Sequence, residues 1–468
     1  MLFLRFYDDD LAQASYLIGC QQHGIAIVID PRRDIEAYLD EAAKQEMRIV
    51  AVTETHIHAD YLSGARELAA ATGAALHLSN LGGEDWQYGF AHEPLSGGSE
   101  LKLGNITLRA LHTPGHTPEH LSFLITDGAS AAEPGYLLTG DFVFVGDLGR
   151  PDLLDESAGG KDTRVPMARQ LFASLKATFW PLPDYVQVWP GHGAGSACGK
   201  ALGAVPSSTV GYEKLVAWWA SYVKSGNVDA FVTALLDGQP DAPSYFARMK
   251  RLNRDGPSLL GEREPLRRYA PEELAALLEA GEVRFVDTRP KDAYHRGTLP
   301  GALHLPEGKT FATWAAWLID PERDPKPLVL LARDQPQAHA LRDKLSRVGI
   351  DAVQGYSDSL DGLKLSSQPQ ASWREIETLD DATIVDVRAK SEYDAGHVPG
   401  AKQIHAGRLL EHLDNLPKDR PILLHCQSGN RSAAAASALR SAGFDNVYDI
   451  EGGYKAWLEQ PQAHASTG

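Results

Sequence analysis

Thr53-Glu54-Thr55-His56-Ile57-His58-Ala59-Asp60-Tyr61 follows directly on the apolar run Ile49-Val50-Ala51-Val52. A predicted strand therefore delivers two imidazoles and a carboxylate together at its exit. Three good ligand side chains crowded at one strand end point to a metal site. A solvated loop rich in histidine would read the same way locally, so the partners must come from elsewhere in the chain.

They recur at other strand ends. Residues 106–111 read as a strand running into His112-Thr113-Pro114-Gly115-His116-Thr117. Residues 136–139 lead into Gly140-Asp141, and 185–189 into Pro190-Gly191-His192-Gly193. Each time a Gly or Pro turn reverses the chain at a sheet edge and presents a ligand-type side chain to a shared groove. Residues 25–29, 74–78 and 121–125 are further strand runs, the first closed by Asp30-Pro31. Helical patterns cover 34–46 and 66–72, the latter stopped by Gly73. From Val210 to about Leu252 the pattern is mainly helical, with Trp218 and Trp219 expected to pack rather than react.

The chain has 468 residues, too many for one ordinary core, so two to four domains are expected. A net charge of −17 disfavours nucleic acid or an anionic membrane surface as a partner. No run is long enough to span a bilayer. Cys20, Cys198 and Cys426 lie far apart and form no disulfide framework or zinc-ribbon spacing. Leu17-Ile18-Gly19-Cys20 imitates a lipoprotein processing box, but Asp8-Asp9-Asp10 stands where an apolar export region should be. A reducing cytoplasm is the expected location.

Residues 253–265 are rich in Gly, Pro and charge and read as a linker. An internal repeat follows. Val286-Asp287-Thr288-Arg289 with Gly297-Thr298-Leu299-Pro300-Gly301-Ala302 returns, 99 residues on, as Val385-Asp386-Val387-Arg388 with Gly396-His397-Val398-Pro399-Gly400-Ala401. Each copy has the size of a small α/β domain, and the polar stretch 366–372 separates them. The expected domains are 1–262, 263–366 and 367–468.

The strand-end set His56, His58, Asp60, His116, Asp141 and His192 resembles the metallo-β-lactamase fold over roughly the first 260 residues. That resemblance implies an αββα sandwich. Dinuclear hydrolases of the fold, such as glyoxalase II, carry a second His directly after the motif's Asp. Here that place holds Tyr61, a neutral phenol that binds a divalent ion poorly. The remaining His56, His116 and Asp141 give two imidazoles and one carboxylate, the donor set of non-heme Fe(II) and O₂ chemistry. The first domain thus resembles the persulfide dioxygenases, which implies one Fe(II) per chain on those three residues. His58, Asp60 and His192 would then orient ligands and water, or belong to a second metal site. The resemblance also implies that Arg150 meets the carboxylates of a thiol substrate such as glutathione. Cys198 is expected near the groove or as an inert buried thiol, and Cys20 as a packing residue. His120 could support the ligands or lie on a polar surface.

In the second repeat, residues 421–425 form a strand, Cys426-Gln427-Ser428-Gly429-Asn430-Arg431 a tight loop, and 432–442 an Ala-rich helix stopped by Gly443. A cysteine cradled by loop N–H groups at a helix start, with an Arg closing the loop, is expected to hold a thiolate or an anionic persulfide. With Asp386, Arg388 and the His397–Ala401 motif upstream, this resembles a rhodanese domain. The resemblance makes Cys426 the sulfur carrier, Arg431 its loop-closing partner, and Gln427, Ser428, Gly429 and Asn430 the persulfide loop. The first repeat has Ala332 at the cysteine position and is expected to be inactive.

The whole chain is therefore an α/β multidomain protein that resembles the fused persulfide dioxygenase–sulfurtransferases of sulfide detoxification. That implies oxidation of a small-molecule thiol persulfide with O₂ to sulfite and thiol, and sulfur exchange through Cys426 between persulfide, sulfite and thiosulfate. A homo-oligomer is compatible with it. Two alternatives stand beside it: a dinuclear-zinc thioester hydrolase with an appended sulfurtransferase, and a non-catalytic sulfur carrier.

Overall fold

The computed structural model describes residues 1–153, 155, 162–376 and 381–460. It divides into two compact units, one of Met1–Ala242 with Phe246–Arg263 and one of Pro243–Tyr245 with Glu264–Gly468. Among the described residues no helix is long and apolar enough to cross a membrane.

The first unit is built on two six-stranded sheets. One comprises, in spatial order, β1 (Leu2–Asp8), β2 (Gln13–Cys20), β3 (Ile25–Ile29), β4 (Arg48–Thr53), β5 (Ala75–Ser79) and β6 (Glu93–Leu95). The other contains β7 (Glu100–Leu103), β8 (Ile106–His112), β9 (Leu121–Asp127), β10 (Tyr136–Gly140), β11 (Gln187–Pro190) and β12 (Ser208–Thr209), in that order. Side chains alternate across each strand, and both faces are covered. Tyr16, Ile18, Ile27 and Ile29 point inward to meet Leu108, Phe123 and Leu138 of the facing sheet. Leu17, Ala26 and Val28 point outward to helices Glu36–Lys44 and Ala65–Thr72. On the far side Leu137 and Val188 pack under helices Arg164–Ser174 and Val228–Leu236, around the fully buried Trp219. This double coverage explains why these strands read as continuous apolar runs, and it makes the unit the expected αββα sandwich.

Strand direction positions the site. β8 and β10 are each antiparallel to β9, and β11 is parallel to β10, so β8, β10 and β11 all end at one edge. Backbone bonds tie the turns beyond that edge together: Gly191 N to Gly140 O at 2.8 Å, Leu121 N to Thr55 O at 2.7 Å, and Ala14 N to Gly191 O at 2.7 Å.

The expected linker begins too early. Asn253 lies in helix Tyr245–Asp255 and is buried. Its amide donates to His58 O at 2.8 Å and Tyr61 O at 2.7 Å, and its Oδ1 accepts from Ser63 N at 2.9 Å. The stretch beyond stays attached, with Glu67 accepting from Leu260 N and Gly261 N. Polarity there reflects side chains that satisfy backbone groups of a neighbouring loop.

The second unit holds two five-stranded parallel sheets of identical topology. The first is ordered β13 (Arg267–Arg268), β17 (Val353–Ser357), β16 (Leu328–Leu331), β14 (Arg284–Asp287), β15 (Leu303–His304). The second is β18 (Gln370–Ala371), β22 (Val447–Ile450), β21 (Ile422–His425), β19 (Thr383–Asp386), β20 (Lys402–Gln403). Register repeats with the sequence: Val286 opposes Leu303 as Val385 opposes Lys402. The Asp-x-Arg motif is a clasp in both copies. Arg289 grips Asp287 and the Gly297 carbonyl, and Arg388 grips Asp386 and the Gly396 carbonyl. The stretch 366–372 is more than a separator, because Gln370–Ala371 form an edge strand of the second sheet.

Candidate active sites

In the first unit, His56, His116 and Asp141 come together with their ligand atoms within 4.8 Å of one another, all three buried. Each imidazole is aimed by its other nitrogen. Thr55 Oγ1 gives its proton to Asp30 Oδ2 at 3.0 Å and so accepts from His56 Nδ1 at 2.9 Å. His116 Nδ1 donates to the Arg150 carbonyl at 2.9 Å. Both Nε2 lone pairs are thereby left facing Asp141, at 3.9 Å and 3.5 Å from its Oδ2. Burial, followed by the neighbouring imidazoles His58, His116, His120 and His192, holds His56 well below the ordinary imidazole range. Burial also lowers His116. Neutral imidazoles are the form that binds a metal. Both Asp141 oxygens are buried without a hydrogen-bond donor among the described residues, an arrangement that a cation in the group would satisfy. The donor set therefore fits one divalent ion.

His58 turns the other way. Its Nε2 meets Asp30 Oδ1 at 3.0 Å, and although burial works against its charge, Asp30 pushes it up to about 9. Tyr61 lies against His58, and its hydroxyl donates to the Asp30 carbonyl at 3.2 Å. Tyr61 is thus committed to the backbone and turned from the ligand group. Asp30, which sequence reading used only as a strand stop, is the hub: it also accepts from Thr55 N at 2.7 Å. His120 is buried beside His56, and its Nε2 accepts from Asp141 N at 3.1 Å. A lone acid after a strand carries no spacing signal that would have marked Asp30, whereas His120 takes the supporting one of its two expected places.

Asp60 and His192 come together with Cys198 as a second buried group, again with ligand atoms within 4.8 Å. His192 Nε2 lies 3.2 Å from Asp60 Oδ2 and 3.5 Å from Asp141 Oδ1, while its Nδ1 donates to Ala12 O at 3.1 Å. Burial, and then the charges of Asp60 and Asp141, push the Cys198 thiol well up.

Arg150 has internal partners. It is buried, its Nε and Nη2 form a bidentate pair with Asp152 at 2.9 and 2.7 Å, and its Nη1 donates to Ala197 O at 3.2 Å. Those bonds commit the guanidinium internally and do not support contact with substrate carboxylates. Its main chain does the positioning: Arg150 N donates to Cys198 O at 3.0 Å, and Arg150 O holds His116. Asp147 assists from the same motif by accepting from Lys200 N and Ala201 N at 2.9 and 2.7 Å.

In the second unit, Cys426 sits at the end of β21, buried, at the base of a loop that enters helix Asn430–Ser441. Gly429 N donates to its Sγ at 3.2 Å, and Ser432 Oγ lies 3.5 Å away. The loop is braced from outside. Arg388 Nη1 donates to Gln427 Oε1 at 3.1 Å, and Tyr454 N and Lys455 N donate to the carbonyls of Cys426 and Gln427 at 2.8 and 3.0 Å. Asn430 opens the helix. Arg431 is held by Glu392 through two bonds of 2.7 Å; burial works against its charge, but Glu392 and the Cys426 sulfur keep it protonated.

Gly453 lies under this loop with φ +57, and a Cβ there would strike the Cys426 carbonyl. Gly453→Ala should therefore destabilise the protein by ~1–3 kcal/mol and depress sulfur transfer by about tenfold or more. Denaturant melts and a thiosulfate assay on the full chain check it. Unchanged turnover would mean that the loop tolerates displacement.

In the first repeat the corresponding loop is built differently. Helix Gln335–Ser346 starts sooner after Ala332, and Asp334 caps it by accepting from Gln337 N at 2.8 Å. Gln337 Oε1 takes Arg333 N at 2.7 Å. The loop's own side chains occupy donors that an anionic sulfur would need.

Comparison with known proteins finds both kinds of domain. Residues 8–192 match the metallo-beta-lactamase superfamily, and residues 270–365 and 369–460 match the rhodanese-like domain. The crystal structure of a metallo-beta-lactamase from Staphylococcus aureus subsp. aureus COL is 39% identical in sequence, with a TM-score of 0.68 over 76% of this chain and 98% of that one. The uncharacterized protein YqhL of Bacillus subtilis (strain 168) is 37% identical over 76 residues, which is 16% of this chain; the match spans only 60% of YqhL. A probable polyketide biosynthesis zinc-dependent hydrolase, BaeB, of Bacillus velezensis is 23% identical over 45% of this chain and 86% of its own length. The staphylococcal likeness and the domain matches together establish that the chain belongs to the metallo-beta-lactamase superfamily, as a fusion with two rhodanese-like domains.

Proposed function

We propose that the first unit is a persulfide dioxygenase and that Cys426 is the sulfur carrier of an attached sulfurtransferase. The observation that carries the first half is the buried group of two neutral imidazoles and one undonated carboxylate, with Tyr61 turned away from it. His56, His116 and Asp141 would hold one Fe(II). When bound, such an ion supplies O₂ activation, because this donor set leaves positions open. The chain's own residues do the rest. Arg150 O and Thr55 Oγ1 fix the two imidazole tautomers, and His120 anchors the Asp141 backbone. In the balanced reaction, persulfide, O₂ and water give thiol, sulfite and two protons.

At the second site the Cys426 thiolate attacks the outer sulfur of thiosulfate and sulfite leaves with the bonding electron pair. Cys426 then carries a persulfide whose anionic terminal sulfur meets Gly429 N–H and Ser432. The reverse transfer, to sulfite, regenerates the thiolate and forms thiosulfate. Small-molecule persulfide, O₂, sulfite and thiosulfate are the partners on this reading, in cytoplasmic sulfide detoxification. Carrying both activities on one chain raises the effective concentration of the sulfite they share.

A second reading, a dinuclear-zinc hydrolase, is favoured by the group Asp60, His192 and Cys198 beside the first. Tyr61 does not complete a second site, but the Cys198 sulfur, a soft donor suited to zinc, lies where it could. Metal analysis of anaerobically purified protein separates the two. One iron per chain, with oxygen uptake on a panel of persulfides, supports the dioxygenase. Two zincs, no iron and no uptake would sink it.

A further inference from the structure

The inactive repeat contributes a charge to the active one. Lys291 opens helix Lys291–Arg296 of the first repeat, and its Nζ donates to the carbonyl of Ser428 in the Cys426 loop at 3.1 Å. The ammonium reaches the next loop residue as well: a Cβ built on Gly429, whose φ is +94, would lie 3.1 Å from Lys291 Nζ. Gly429 is the residue whose N–H points at Cys426 Sγ. The cation thus sits on the Cys426 loop, beside the glycine whose N–H meets the sulfur.

A comparison of the repeats explains why Lys291 is there. Its counterpart 99 residues on is Lys390, which pairs within its own helix with Asp394 at 2.7 Å. The position equivalent to Asp394 in the first repeat is His295, so Lys291 has no acidic partner at that spacing. His295 instead reaches across to Asp449 of β22, 3.2 Å away. Lys291 and His295 lie one helical turn apart, so one face of this helix is turned on the active repeat. The seating is firm. Gln368 N donates to His295 O at 3.0 Å, and Arg440 of the catalytic helix donates to Gln368 at 3.2 Å.

We propose that Lys291 is a specificity-determining residue of the sulfur-transfer site, a cation lent by the inactive repeat to draw anionic sulfur donors and acceptors to Cys426. The inference rests on the sulfurtransferase reading above. Thiosulfate and sulfite carry two negative charges, and an ammonium held on the loop of a buried cysteine favours them over neutral reagents. On this account the repeat without a nucleophile is kept because the other repeat's anion site is incomplete without it.

The test is Lys291→Met, which keeps the length and removes the charge, alongside Lys291→Arg, in the full chain. Thiosulfate KM should rise by about five- to tenfold in the Met variant with kcat within about twofold, and the Arg variant should recover most of it. The salt dependence of KM should weaken in parallel. A second readout needs no turnover: alkylation of Cys426 by iodoacetate should slow about fivefold relative to iodoacetamide, followed by mass spectrometry of its peptide. A Met variant with wild-type KM and an unchanged iodoacetate-to-iodoacetamide ratio overturns the inference. So does a fall in kcat at constant KM, which would make Lys291 a brace for the loop alone. If the wild-type chain transfers no sulfur from thiosulfate, the sulfurtransferase reading fails; if in addition the alkylation ratio ignores Lys291, the charge inference fails by itself.

Discussion

His116→Ala is expected to strip the chain of bound iron and to lower persulfide-dependent oxygen uptake by more than ~100-fold, since even the partners of metal ligands cost 10–100-fold when removed. The reason lies in the local geometry. His116 is the ligand whose tautomer is set by a backbone carbonyl, Arg150 O at 2.9 Å, and its Nε2 is the imidazole nitrogen nearer Asp141 Oδ2, at 3.5 Å against 3.9 Å for His56. Without it, one imidazole and one carboxylate remain in a buried group. Sulfur transfer should stay within about twofold of wild type, because Cys426 belongs to the other compact unit. Iron content by atomic spectroscopy and uptake at an oxygen electrode read the first effect, and a thiosulfate assay on the same sample reads the second. Full uptake in the variant would remove His116 from the site.

Cys426→Ser should have the opposite signature. A serine hydroxyl is not ionised near neutral pH and cannot carry a sulfane sulfur, so thiosulfate turnover should fall by more than ~10³-fold while oxygen uptake persists. The wild-type chain treated with thiosulfate should gain the mass of one sulfur atom on the Cys426 peptide, and the variant should not. The substitution is conservative in the fold: the site is buried, and the loop is held by Tyr454 N and Lys455 N through backbone carbonyls that serine retains. Loss of both activities in Cys426→Ser would mean that the two sites are one functional system, contrary to the division of labour proposed here.

The two substitutions bear on different parts of what could be read without coordinates. The strands, the turns beyond them and the convergence of His56, His116 and Asp141 were legible, because each lies in a short motif whose apolar run and turn residues are contiguous. The Cys426 loop was legible for the same reason, and the repeat offset carried the register of both parallel sheets. Asp30 and Asn253 were not, and His120 was left open between supporting the ligands and lying on a polar surface. Each is a single polar residue whose task is to satisfy groups in another part of the chain, and such a task leaves no periodicity or spacing.

For two residues the packed molecule adds partners that the sequence left unnamed. Arg150 follows the Asp141 turn as its motif implies, yet its guanidinium is spent on Asp152 and Ala197 O. Cys198 stood between a groove thiol and an inert one; packing brings it to Asp60 and His192 and gives the second reading of the metal centre its donor.

The chain's linear pattern was sufficient for the fold, the order of the domains and the identity of the side chains that could do chemistry, because those follow from local apolar spacing and turn chemistry. Which way those side chains face required the packed molecule. Tyr61 was set aside as a poor ligand from its phenol alone, but its turn toward Asp30 depends on β3 and β4 pairing side by side, so that the loops beyond them meet. Lys291 stands in no motif, and its contact with the Ser428 carbonyl exists only because the second repeat packs beside it. Long-range contacts of this kind are made by residues far apart in the chain, so their energetics appear only once the backbone has brought them together.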